Sequence, residues 1–197
     1  MSLPPPLSDE ALDRLFRKAR SFVTWQDIPV PLETLKSLYD LLKMGPTSAN
    51  SCPLRIVFLT TSQAKDRLLP HLAEGNVEQT KTAPVVALLA NDTEFPKELP
   101  TLFPMAQSWF EGNAALIEET AMRNASMQGG YFIMAARALG LDCGPISGFD
   151  HDGVNQAFFP DGRWQINFLC NIGYGDATKL KPRLPRLPFE EACRVLA

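Results

Sequence analysis

The chain has 197 residues but only two histidines, His71 and His151, and neither sits in a pattern that would make it a base or a ligand. No G-x-S-x-G elbow, H-E-x-x-H pair or Walker A loop occurs. Asp150-His151-Asp152 places three metal-capable side chains in a row. Asp150 stands where a helix cap belongs, so no metal is expected there. Gly173-Tyr174-Gly175 follows an apolar run, but the third glycine of a dinucleotide fingerprint is missing and a Pro-rich tail replaces its helix. Cys52, Cys143, Cys170 and Cys193 are scattered without a C-x-x-C pair. That spacing fits reduced thiols better than a zinc site or a disulfide framework. With so few acids, bases or nucleophiles in useful arrangements, a cofactor must carry any demanding chemistry.

Three segments have the right residue types to hold one. Lys18-Ala19-Arg20-Ser21 sets cations beside a hydroxyl, a combination that suits a phosphate; basic residues at a helix end also answer the helix dipole. Gly45-Pro46-Thr47-Ser48-Ala49-Asn50 gathers hydroxyls and an amide into a turn, which by itself is also an ordinary polar turn. Cys143-Gly144-Pro145-Ile146-Ser147-Gly148-Phe149-Asp150 has glycines that let backbone N–H groups approach a planar ligand.

The elements that must position these segments follow from periodicity. A helix is expected from Ser8, its cap, to Arg20, and a second from Pro31 to Met44 with Gly45 at its end. Residues 55–60 and 85–90 read as short apolar strands, the second buried on both faces. A short helix is expected over 62–72 and a long irregular excursion over 91–110. The longest helix spans 113–139, and Gly129-Gly130 at its middle predicts close approach of a backbone or a flat ring. A strand near 141–143, a helix near 150–158, a strand over 164–172 and a short helix over 189–196 complete the pattern. Such alternation predicts an α+β sheet with helices on its faces.

Composition narrows the functional classes. A net charge of -3, with Lys and Arg spread through the chain, excludes a basic nucleic-acid footprint. The apolar fraction of 45% and charged fraction of 21% are those of a globular protein. No apolar run is long enough to span a bilayer. The opening Met1-Ser2-Leu3-Pro4-Pro5-Pro6 does not read as a secretory signal, so a cytoplasmic location is expected.

In their order and context the three segments resemble the nitroreductase-like FMN family, whose pattern covers nearly the whole chain as one domain, 1–197. The resemblance implies FMN, with NADH or NADPH as electron donor, and an intertwined homodimer whose flavins lie at the subunit interface. Arg20 and Ser21 match the pair that holds the FMN phosphate, although Ala19 and Val23 stand where basic residues are common. Arg186 matches a further phosphate contact, with Arg183 as a candidate helper. Pro46, Thr47, Ser48 and Asn50 match the turn that touches the flavin from the other subunit, while Cys52-Pro53-Leu54 replaces the usual Gln-Pro-Trp. Asn76 matches an asparagine bonded to the flavin edge, and Gln79 a position on its pyrimidine side that is often lysine. Pro145, Ile146, Ser147 and Gly148 match the segment whose backbone N–H groups meet flavin N5; Ser147 stands where some members have glutamate.

Within the family the likeness runs nearest to malonic semialdehyde reductases of bacterial pyrimidine-utilisation (Rut) pathways. It is carried by residues 45–53 (GPTSANSCP), 108–110 (SWF), 118–128 (EETAMRNASMQ), 139–150 (LGLDCGPISGFD) and 171–188 (NIGYGDATKLKPRLPRLP). The implied reaction passes a hydride from NAD(P)H through the flavin to the aldehyde, giving 3-hydroxypropionate, with no side chain required as acid or base. A carboxylate substrate wants a cation, and Arg123 in the long helix is the candidate. A broad nitroaromatic or quinone reductase is the alternative, and a flavin-binding protein without turnover is a second.

Overall fold

The computed structural model describes residues 3–196. Helix α1 (Asp9–Leu12) starts where Ser8 Oγ accepts the Ala11 N–H at 3.2 Å. It does not continue as one α-helix to Arg20. A π-helical turn, Asp13–Arg17, replaces its second half. The Asp13 carboxylate pairs there with both Arg17 and Lys18, each at 2.6 Å. Helix α2 (Leu32–Leu42) is N-capped by Pro31 and buries Leu35, Leu38 and Leu42, the spacing of an amphipathic face.

Strand β1 (Leu54–Leu59) leads into α3 (Ser62–Asp66), capped by the Thr61 hydroxyl. The expected continuation to residue 72 fails before Pro70, which lacks an N–H; a 3-10 turn, Leu69–His71, takes its place. Helix α4 (Glu74–Thr82) was not foreseen. Its sequence, EGNVEQTKT, has one strongly apolar residue and no apolar period, so its anchors are polar instead. Lys65 Nζ donates to the Lys81 and Ala83 carbonyls at 2.9 and 2.8 Å. Burial holds the Lys65 ammonium below the usual lysine range. Trp25 Nε1 donates to the Gln79 carbonyl at 3.0 Å, and Asn171 Nδ2 to Thr80 Oγ1 at 3.3 Å.

Strand β2 (Val85–Asp92) is buried along its whole length, as its unbroken apolar run predicts. The excursion that follows is built of short 3-10 turns and α5 (Leu99–Leu102), folded over Phe95, Leu99 and Phe110. Helix α6 (Ala114–Ala138) begins at Asn113, whose side chain accepts the Leu116 N–H. Strand β3 (Asp142–Ile146) is longer than expected and takes in Pro145 and Ile146. Helix α7 (His151–Phe158) is capped by Asp150, which accepts the Gly153 N–H at 3.1 Å. Strand β4 (Trp164–Gly173) precedes the tail, which carries a 3-10 turn, Ala177–Lys179, and α8 (Phe189–Ala192).

The four strands form one antiparallel sheet in the order β1-β2-β4-β3. Helices α2 and α6 cover one face, packing Leu38, Leu42, Ala125 and Phe132 on Ala87, Leu89, Cys170 and Ile172. The other face packs Leu68, Val77 and Val154, from around α3, α4 and α7, on Val86, Leu88, Ala90 and Leu169. The α+β architecture is therefore the one expected. At the end of β2, Asp92 is fully buried and paired with Arg55 at 2.6 Å and Arg163 at 2.8 Å. Burial would raise its carboxyl, but hydrogen bonds from Arg163 and the Glu94 N–H, with the charge of Arg55, hold it below the usual carboxylate range.

Candidate active site

Edge strand β3 gathers most of the predicted residues. Ser21 bridges to Cys143 in parallel fashion, and the Phe22 N–H donates to the Cys143 carbonyl at 2.9 Å. Gly144 is required there, since a Cβ would lie 2.3 Å from the Phe22 carbonyl oxygen. This close approach puts Arg20 and Ser21 beside the start of β3. Arg20 Nη2 donates to the Lys181 carbonyl at 2.5 Å, and Arg183 Nη2 donates to the Arg17 and Ala19 carbonyls at 3.0 and 2.6 Å. The tail thus leaves the body of the protein through this corner. Arg186 is not brought to it: its Nη1 turns back to the Leu184 and Pro185 carbonyls, each at 3.1 Å.

At the far end of β3, Asn76 Nδ2 donates to the Gly148 carbonyl at 2.8 Å. Gln79 Nε2 donates to Asn76 Oδ1 at 2.7 Å. Asn76 and Gln79 are one turn apart on α4 and share a face. The Gly148 carbonyl also accepts the Ala73 N–H at 3.1 Å, so this loop is tied to α4 twice. Pro145, Ser147 and Gly148 are exposed along the edge, and Ile146 is buried. One line therefore runs from a guanidinium and hydroxyl, past exposed backbone, to a pair of amides. That donor set suits a ligand with an anionic end and a planar head whose edge both donates and accepts. The residues fit a flavin mononucleotide.

The turn 46–50 is elsewhere in the chain. It precedes β1, at the opposite edge of the sheet from β3, three strand spacings or about 14 Å away. Its backbone is strained: Ala49, Asn50 and Cys52 have φ of 53°, 48° and 41°, and they are the positive-φ non-glycine residues of the described chain. Thr47 Oγ1 accepts the Cys52 N–H at 3.1 Å, the Ser48 N–H donates to Asn124 Oδ1 at 2.8 Å, and Asn50 Nδ2 donates to the Leu102 carbonyl at 3.0 Å. These bonds hold Pro46, Ser48 and Asn50 exposed. A cavity of about 670 Å³ opens beside the turn, against the free edge of β1, lined by Tyr39, Lys43, Cys52, Arg55, Gln128 and others.

Arg123 is exposed on α6 and paired with Glu119 one turn before it. Sequence reasoning missed Trp25, which fixes α4 through Gln79, and Phe168. The Phe168 ring fills the notch at Gly129, where a Cβ would lie 2.5 Å from it, and with Pro145, Ile146 and Ser147 it lines a cavity of about 200 Å³. The glycine pair was the signal for it: the flat ring expected at 129 is a phenylalanine of β4. Among the described residues no three His, Cys, Asp or Glu side chains cluster as metal ligands, and no helix is long and apolar enough to cross a membrane.

A family model described as the Nitroreductase family matches residues 4–174. A Ralstonia nicotianae protein named "Putative NADH dehydrogenase/NAD(P)H nitroreductase" is 55% identical over 194 residues, spanning 98% of this chain and 100% of its own. A Rhodopseudomonas palustris protein of the same name is 57% identical over 192 residues, spanning 96% and 98%. A crystal structure of a "putative nitroreductase in complex with FMN" from Exiguobacterium sibiricum superposes with a TM-score of 0.86 at 19% identity, covering 97% of this chain and 99% of that one.

Proposed function

Because the chain belongs to the nitroreductase family, we propose that it is an FMN-dependent NAD(P)H oxidoreductase that reduces malonic semialdehyde to 3-hydroxypropionate in pyrimidine degradation. The observation that carries the cofactor is the line along β3, from Arg20 and Ser21 past Pro145–Gly148 to Asn76 and Gln79. Bound FMN supplies the two-electron hydride chemistry that no side chain here offers. The chain's residues bind and orient. Arg20 and Ser21 hold the phosphate, the Asn76–Gln79 pair holds the pyrimidine edge, and the Ser147–Gly148 backbone faces the reacting side of the ring. The net reaction is aldehyde, NAD(P)H and a proton to alcohol and NAD(P)⁺, so one site serves two substrates in turn. The narrower substrate rests on the stretches 118–128, 139–150 and 171–188, with Arg123 as the carboxylate's partner after leaving Glu119. The relatives' names support a second reading, reduction of nitroaromatics.

The working unit in this reading is a homodimer. Pro46, Thr47, Ser48 and Asn50 are too far from β3 to share its ligand within one chain, and a second copy would supply them. The tail leaves Leu184, Leu187 and Phe189 61–76% exposed, and the free β1 edge with its cavity offers them a seat on the partner. Arg186 would then reach a phosphate only through that rearranged tail.

The test is the visible spectrum of the purified protein with anaerobic NADH, followed by malonic semialdehyde. Flavin bands that bleach and then return establish cofactor, donor and acceptor. A protein that takes up no FMN overturns the reading, and a bleached flavin reoxidised faster by a nitroaromatic replaces the substrate.

A further inference from the structure

Strand β4 carries one irregularity. Leu89 pairs with Phe168 and Ala90 with Ile166, so Asn167 lies opposite no residue, the signature of a β-bulge. Side chains of a regular strand alternate between faces, and here the alternation slips. Ile166 and Leu169 both join the cluster on the α7 side, whereas Phe168 packs on the α6 side. Asn167 turns to the α6 side as well, where its Nδ2 donates to Ser126 Oγ at 2.9 Å. Two consecutive residues therefore face the same helix. Phe168 continues to the Pro145–Ser147 backbone, which places Asn167 next along the strand from the cavity at the reacting end of the site.

The asparagine is a poor choice for the sheet alone, because Asn is depleted in strands and this one fills no core. Its bond to Ser126 fixes its rotamer and uses one amide hydrogen. Ser126 spends its single donor on the Met122 carbonyl at 2.7 Å, so toward Asn167 it only accepts. The second Asn167 N–H has no partner among the described residues. A half-buried, immobilised amide with a free donor is suited to receive a ligand oxygen.

We propose that Asn167, oriented by Ser126, donates this N–H to the reacting carbonyl oxygen of the acceptor and so determines specificity; this rests on the reading that the β3 edge holds FMN. A donor at that oxygen stabilises the negative charge that grows there as hydride reaches the carbonyl carbon. Arg123 lies three residues before Ser126 on α6, about 4.5 Å along the helix axis and on a neighbouring row. In this arrangement an acid aldehyde would set its carbonyl at Asn167 and turn its carboxylate toward Arg123.

The experiment compares the holoenzyme with its Asn167→Leu and Ser126→Ala variants. Three quantities are read: FMN affinity by fluorescence quenching, 3-hydroxypropionate affinity from its perturbation of the oxidised flavin spectrum, and reoxidation rates of the reduced enzyme. For Asn167→Leu, FMN affinity and reoxidation by ferricyanide, which needs no hydrogen-bond donor, stay within about threefold, while product affinity and reoxidation by the aldehyde each fall about tenfold or more. Ser126→Ala, which frees the rotamer but leaves the amide, shows a smaller loss of the same kind. Equal losses with ferricyanide and aldehyde, or no loss with either, overturn the proposal. A wild-type enzyme that binds FMN but is not reoxidised by the aldehyde overturns only the substrate reading; the comparison then runs on a nitroaromatic, whose oxygens accept the same bond. Wild type that binds no FMN overturns both.

Discussion

Gly129 and Gly130 are adjacent in α6, yet replacing each by alanine should have opposite effects. Each substitution gains about 1 kcal/mol of helix propensity. At Gly130 nothing lies within 4 Å of the added Cβ, so that gain stands. At Gly129 the Cβ would lie 2.5 and 2.6 Å from two atoms of the Phe168 ring, against an ordinary contact of 3.4–4 Å. The ring must retreat by about 0.9 Å, the difference between 2.5 and 3.4 Å; Leu89 borders the notch, and the open side is the cavity that the ring shares with Pro145–Ser147. Overpacking of that size costs about 1–3 kcal/mol. The net expectation is a loss of about 0–2 kcal/mol for Gly129→Ala and a gain of up to about 1 kcal/mol for Gly130→Ala. At about 2–4 °C per kcal/mol for a chain of this length, the two variants should melt several degrees apart. Urea unfolding with a shared m-value measures the same difference. In the proposed flavin reading Gly129→Ala should also weaken FMN binding, because the ring is displaced toward the Pro145–Ser147 segment; Gly130→Ala should not. If Gly129→Ala proves the more stable of the two, the packing argument fails.

Further outcomes follow from other contacts. Arg20→Ala should reduce FMN affinity by about tenfold to a hundredfold, the worth of a charge-assisted bond, while riboflavin affinity stays unchanged; parallel losses for both ligands would remove Arg20 from the phosphate. Trp25→Phe keeps the packing but loses the bond to the Gln79 carbonyl, and a few-fold rise in the FMN dissociation constant is expected in a fluorescence titration. Asp92→Asn leaves Arg55 and Arg163 facing a neutral amide. Breaking a buried pair costs about 3–5 kcal/mol, and the lower end applies because Arg163 is 35% exposed, so a clear drop in the urea midpoint is expected. Because folding depresses the Asp92 carboxyl, its contribution is complete above the ordinary aspartate value of 3.8 and is lost as pH falls through the lower folded value. Acid unfolding followed by circular dichroism should be less steep below pH 3.8 in Asp92→Asn than in wild type.

Local chemistry was legible from residue order alone. The caps Ser8 and Asp150, the amphipathic stripe Leu35-Leu38-Leu42 and the unbroken apolar run of β2 each depend on neighbours within a turn or a strand. Residue types in their order also led to the family, and to the proposal of a phosphate corner and a ring-facing edge. Other features came only from tertiary structure. Helix α4 has no apolar period and exists because Lys65, Trp25 and Asn171, distant in sequence, bind its backbone and Thr80. The bulge at Asn167 is invisible in the order Ile166-Asn167-Phe168-Leu169, since it arises from how β2 registers against β4. The strand order that carries Pro46–Asn50 to one edge and Pro145–Gly148 to the other is likewise a matter of topology. Sequence determines short-range bonds and burial preferences; which distant segments meet depends on closing the sheet, where a shift of one residue exchanges one face for the other.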